Sequence, residues 1–125
     1  MTNARSAYMG GMVTTASPAR LLVMLYERLV LDIERAADLQ DAGDFPSASQ
    51  QLMHAQEIVL ELQSSLRLDV WDGAQKLSAI YGFLHSELVK ANVRRDVTVT
   101  RSCLTLVRPL AEAWREAALA AAAVA

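Results

Sequence analysis

The residues best suited to chemistry are two histidines and one cysteine, and none stands in a working set. His54 and Glu57 lie one turn apart on a helix. A carboxylate-bridged di-iron bundle needs a Glu-x-x-His pair on each of two helices and two further glutamates; here the order is reversed and the pair occurs once. His85 and Glu87 are two positions apart and diverge on a helix. Both histidines therefore read as solvated polar residues rather than metal ligands. His54, between Met53 and Ala55, leaves a phosphotransfer reading open, although no lysine or glycine follows closely to steady a phosphate. Ser47, Ser49, Ser64 and Ser65 have no base at helical spacing, so a nucleophile would lack its activator. Cys103 lies in an apolar context, where a thiol packs as a small core or groove residue. There is no glycine-rich phosphate loop. The expectation is no catalytic residue, no metal and no cofactor, in a protein that is not an enzyme.

The elements that would position side chains are four amphipathic stretches. Ser17 is a good N-cap and Pro18 fits the first helical position, where its missing N–H costs nothing. Leu22, Tyr26, Leu29, Ile33 and Ala36 form one stripe, with Val23, Val30 and Leu31 outside it. A first helix apolar on most sides belongs at the centre of the fold. Gly43 suits the C′ position that ends it, and Asp44 caps the second helix, with Pro46 tolerated in the first turn.

That second helix runs to about Leu66 and carries Phe45, Ala48, Leu52, Ala55, Val59, Leu62 and Leu66 in unbroken steps of three and four. Arg67 to Trp71 connects it to a third helix from about Asp72 to Lys90, with Ala74, Leu77, Tyr81, Leu84, Leu88 and Ala91 in line. Asp96 caps a fourth helix with Val97, Thr100, Leu104, Val107, Ala111, Trp114 and Ala118 on one face. Pro109 falls inside it and predicts a kink near residues 105–109. Short connections make successive helices antiparallel neighbours. The fold class is all-α: an antiparallel four-helix bundle over residues 17–125, preceded by an arm of residues 1–16 that holds Tyr8, Met9, Met12 and Val13.

A chain of 125 residues with 53% hydrophobic and 21% charged residues closes one core and is not disordered. Its net charge of −2 and scattered basic residues, with Arg94-Arg95 the only adjacent pair, exclude the basic stripe of a nucleic-acid binder. A single cysteine excludes an internal disulfide and fits a reducing compartment. No secretory signal is evident, and the alanine-rich tail from Ala117 falls far short of the roughly 20 residues of a membrane span. The reading is a cytoplasmic protein with no membrane insertion.

Apolar surface is left over once the core stripes are assigned. Beside its stripe the second helix carries Met53 and Leu60 with the polar Gln56 and Gln63. The third carries Ala79, Phe83, Ser86, Val89 and Val93, and the fourth Cys103, Leu106, Leu110, Ala113 and Ala117. Such lines serve either deeper burial or a groove for a partner helix.

At this point a family likeness enters. Thr15-Ala16-Ser17-Pro18 followed by Leu21 through Leu25-Tyr26-Glu27 resembles the start of the flagellar secretion chaperone family, FliS. Leu52-x-x-Ala55-Gln56-x-Ile58-Val59-x-x-Leu62-x-x-Ser65-Leu66 is similar to its second helix. Leu77-x-x-Ile80-Tyr81-x-x-Leu84, then Leu88-Val89-x-Ala91-Asn92 and Asp96, is similar to its third helix and turn, and Leu110-x-x-Ala113-Trp114-x-x-Ala117 to its last. Tyr8 stands where the family has an arm tyrosine, while Arg5 replaces a second one and Ala19-Arg20 replace an acidic pair.

The resemblance implies a helical bundle that binds the C-terminal segment of newly made flagellin, prevents premature assembly and delivers it to the export apparatus. It also implies that the arm covers part of the apolar surface until flagellin displaces it. On that footing the expected flagellin-binding residues are Tyr8, Met12, Val13, Met53, Gln56, Leu60, Ala79, Phe83, Val89, Val93, Leu106 and Leu110. A phosphotransfer bundle and a self-associating structural protein remain the alternatives.

Overall fold

The computed structural model describes residues 17–69 and 72–123. The expectations for the arm, including Tyr8, Met12 and Val13, lie outside the described residues.

Four helices follow one another: α1 (Pro18–Asp41), α2 (Phe45–Ser65), α3 (Gly73–Val93) and α4 (Val97–Ala123). Helix α1 starts as the sequence predicts, with the Ser17 hydroxyl accepting from the Arg20 N–H at 3.2 Å. It ends in a Schellman turn: the Gly43 and Asp44 N–H groups donate to Gln40 and Leu39 carbonyls at 3.1 and 2.9 Å. Gly43 holds φ +77°, the left-handed conformation that glycine adopts freely. Asp44 then caps α2 by accepting from the Ser47 N–H at 3.2 Å.

The α3–α4 turn repeats this design. Arg95 and Asp96 donate to Asn92 and Ala91 carbonyls at 3.3 and 3.1 Å, and Asp96 caps α4 by accepting from Thr98 N–H at 3.0 Å. Here Arg95 takes the left-handed position, at φ +52°. Helix α3 continues to Val93, three residues beyond the boundary read at Lys90, and closes on this left-handed arginine. Helix α4 runs on through Pro109, whose ring is exposed.

The helices close a four-membered ring in which α1 packs on α2 and α4, and α3 on the same two. All neighbours are antiparallel. Arg101, Arg108 and Arg115 of α4 meet Asp41, Glu34 and Glu27 of α1, in steps of seven residues in opposite directions. These pairs are exposed and each contributes at most about 1 kcal/mol, but together they set the register.

The core is built from the predicted stripes: Leu29 and Ile33, Leu52, Ala55 and Val59, Leu84 and Leu88, and Val107 are all buried. Residues at helix ends, such as Phe45, Leu66 and Ala118, are only half-buried. Val23 is also buried, in keeping with a first helix apolar on most sides.

Three polar groups cross this core. The hydroxyls of Tyr26 on α1 and Tyr81 on the diagonally opposite α3 hydrogen-bond to each other, and Trp114 of α4 hydrogen-bonds Tyr26. Near the two turns, Thr100 donates to Gln40 at 2.6 Å while Gln40 donates to the Ala91 carbonyl at 3.2 Å. Between α1 and α2, the fully buried carboxylate of Asp32 accepts from Arg28 Nε at 2.9 Å and pairs with His54 Nδ1. This corrects the reading of His54 as merely solvated: a carboxylate buried at that depth needs hydrogen-bonding partners, and His54 is one of them.

Candidate functional site

Helix α3 is the element that positions the surplus apolar side chains. Its inner face carries Leu77, Tyr81, Leu84 and Leu88, which leaves Phe83, Val89 and Val93 facing outward. Phe83 is 59% exposed, Val93 77%, Met53 of α2 50% and Leu60 48%. Val89 and Ala79 are also exposed, while Gln56, Leu106 and Leu110 are half-buried. None of the candidate residues on α2 to α4 is fully buried.

They divide between two seams. Phe83 and Val89 are six residues apart, which on a helix of 3.6 residues per turn separates their directions by about 120°. Phe83 turns toward α4, where with Leu84, Val99, Cys103 and Leu106 it lines a cavity of about 320 Å³ rimmed by Glu87 and Lys90. Leu110 lies one turn beyond Leu106 on the same side of α4.

The other seam is bridged by Gln63, which donates to the Ser78 carbonyl at 3.1 Å. With α2 and α3 antiparallel, that register brings Met53 level with the part of α3 near Val89, and Leu60 level with the part near Ala79 and Gly82. The structure thus places Met53, Gln56, Leu60 and Val89 along one seam, with Val93 at its end beside Phe45, and Phe83, Leu106 and Leu110 along the other; Ala79, one turn before Phe83, lies on the outward face of α3 between them.

The two seams of α3 differ from those of α1. The α1–α4 seam is crossed by the arginine ladder and the α1–α2 seam by the Asp32–His54 pair. Among the described residues no salt bridge ties α3 to α4. Apolar side chains flank that seam without charged groups spanning it, which suits an apolar ligand lying along it.

Nothing in the described residues assembles catalytic machinery. No group of three His, Cys, Asp or Glu side chains there could hold a metal ion, and no helix there is long and apolar enough to cross a membrane. Burial pushes the Cys103 thiol from its ordinary 9.0 up to about 12, so it remains protonated and unreactive. Burial likewise raises Tyr26 and Tyr81 above their ordinary 10.0.

All three groups keep protons that the unfolded chain releases. The stability they confer is complete below the ordinary values and is lost as pH rises through the raised ones. Urea midpoints are therefore expected to hold steady between about pH 7 and 8.5 and to fall progressively above about pH 9.5. A midpoint that rises across that alkaline range would contradict the burial of these hydroxyls and this thiol.

Sequence reasoning missed Asp32, although the signal was present as one acid between Leu31 and Ile33 in an apolar run. It also passed over Leu68 and Leu119, which are exposed apolar residues in the α2–α3 connection and the alanine-rich tail.

With this geometry in hand, the comparisons with known proteins are specific. The sequence matches the family model of the flagellar protein FliS over residues 1–121. The chain belongs to the FliS family. A flagellar secretion chaperone FliS from Bacillus subtilis is 29% identical over 115 residues, covering 92% of this chain and 86% of that protein. The Escherichia coli flagellar secretion chaperone FliS is 27% identical over 112 residues, covering 86% and 80%. A crystal structure of a bacterial flagellar chaperone superposes with a TM-score of 0.74 at 20% identity, covering 89% of this chain and 91% of that one. That likeness shows the shared helical-bundle fold. FliS is a family of chaperones, not of enzymes.

Proposed function

We propose that this FliS-family protein works in the cytoplasm, where it binds the C-terminal segment of flagellin, keeps it from polymerising prematurely and passes it to the type III flagellar export apparatus. The observation that carries this reading is the outward side of α3, where Phe83, Val89 and Val93 are exposed on an otherwise well-packed bundle.

A flagellin segment that is unfolded when free and amphipathic when helical presents one apolar face. The seams on either side of α3 offer grooves to receive it. Each large apolar side chain removed from water contributes roughly 1.5–3 kcal/mol, and the ordering of the segment offsets part of that. The balance is a moderate, reversible affinity, as handing a client to an export machine requires. The His54–Asp32 pair fits the alternative of phosphotransfer less well, because hydrogen-bonding a buried carboxylate already accounts for it.

Filament growth provides the test. Flagellin monomers seeded with filament fragments are expected to stop adding once about one chaperone is present per flagellin, because the segment needed for assembly is occupied. Growth at an undiminished rate with excess chaperone would contradict the proposal.

A further inference from the structure

The end of the bundle that holds both Schellman turns has a different character from the α3 seams. Arg94 and Arg95 sit there side by side, and among the described residues neither has an ion-pair partner, whereas Arg101, Arg108 and Arg115 each face a carboxylate. The two neighbouring acids are turned to other work: Asp44 caps α2 and Asp96 caps α4. Arg95 occupies the left-handed position filled by Gly43 in the sister turn, a conformation that is unfavourable for a residue with a side chain. Its guanidinium lies 5.0 Å from the centroid of the Phe45 ring. Beside it are Val93, the most exposed large apolar residue described, and a cavity of about 340 Å³ lined by Phe45, Pro46, Ser49, Asn92 and Arg95 among others. A strained arginine, fixed by an aromatic ring and left without a counter-charge, breaks the local rule that the sister turn obeys. Such violations concentrate at functional sites.

We propose that this end of the bundle is a second docking surface, for an acidic segment of a protein partner whose carboxylates meet Arg94 and Arg95 while an apolar side chain packs on Val93 and Phe45. The unpaired cations select the charge, and the exposed valine and ring select a peptide over a bare anion. The chain's own residues 1–16 have the wrong sign for it, since they hold Arg5 and no acidic residue. This surface meets the α2–α3 seam at Val93, but Arg94 and Arg95 stand outside the positions proposed for flagellin, so the charge contacts and flagellin binding can fail separately.

The test uses the full chain and three fluorescent synthetic peptides: an amphipathic Glu/Leu helix, the same peptide with Lys for Glu, and the same with Ser for Leu. The Glu/Leu peptide is expected to bind most tightly and to weaken with added salt. Its affinity is expected to fall roughly tenfold or more in the R94E/R95E variant while the affinity for a C-terminal flagellin fragment is unchanged. Arg95→Gly should reproduce part of the loss in a protein at least as stable as the original, because glycine accepts the left-handed position. Binding of the Glu/Leu peptide no tighter than that of the Lys/Leu peptide, or undiminished by R94E/R95E, would overturn the proposal. So would loss of flagellin binding in the same variant, which would assign this end to the client site. Loss of a concentration-dependent dimer in that variant would assign it to a second copy and overturn the proposal as well.

Discussion

Replacing Phe83 with glutamate is expected to weaken binding of the flagellin C-terminal fragment by roughly thirtyfold or more while leaving the melting temperature nearly unchanged. The ring is 59% exposed and stands at the mouth of the α3–α4 cavity, so the folded protein loses little when it is removed. In the complex the loss is larger. An aromatic side chain buried by the partner is worth roughly 1.5–3 kcal/mol, and the new carboxylate must itself be desolvated or displace the partner. Calorimetric titration alongside thermal unfolding by circular dichroism separates the two effects. Intact binding would remove the α3–α4 seam from the client site, and an unfolded variant would show that Phe83 supports the core.

The second large effect concerns the core itself. Tyr26→Ala is expected to cost about 3–5 kcal/mol, a large share of the roughly 5–15 kcal/mol that stabilises a domain of this size. Tyr26 is buried against Trp114 and Tyr81, with ring centroids 6.4 and 6.5 Å away. Its removal opens a cavity among three helices and strands the Tyr81 hydroxyl and the Trp114 N–H. Tyr26→Phe keeps the volume but still leaves those groups short of a partner, which costs about 1–3 kcal/mol. The double variant Y26F/Y81F should therefore cost less than the sum of its single changes. Urea unfolding of the four proteins measures each difference. Strict additivity would show that the two hydroxyls do not act as a pair.

The helices themselves were legible because their signals are local. Steps of three and four fixed the inner faces of α2 and α3, and the caps at Ser17, Asp44 and Asp96 act on N–H groups two or three residues away. The end of α3 was not, because a left-handed arginine carries none of the marks of a glycine cap. The role of His54 was hidden for another reason: its partner Asp32 lies on another helix and meets it only once α1 and α2 pack. The seven-residue spacing of Glu27, Glu34 and Asp41, and of Arg101, Arg108 and Arg115, is visible in the chain, but their pairing requires knowing that α4 lies against α1.

The apolar surplus on α2, α3 and α4 could likewise be read from positions beside the core stripes. Its division into two seams could not, since that depends on how each helix is rotated against its neighbours. Phe83 and Val89 look like one line in the sequence and face opposite sides of α3 in the bundle. A client long enough to touch both must cross α3, or follow one seam and turn at its end. Phe83 on one side and Met53 on the other are the positions that distinguish these paths.

The most direct test of client binding is a calorimetric titration of the full-length protein with the C-terminal fragment of flagellin from the same cell, repeated at several temperatures and followed by circular dichroism. A chaperone that folds its client along α3 gives one-to-one binding, a negative heat-capacity change from buried apolar surface and a gain in helix beyond the sum of the two components. A well-folded protein that gives no heat at any temperature and no added helix would contradict flagellin binding at this surface.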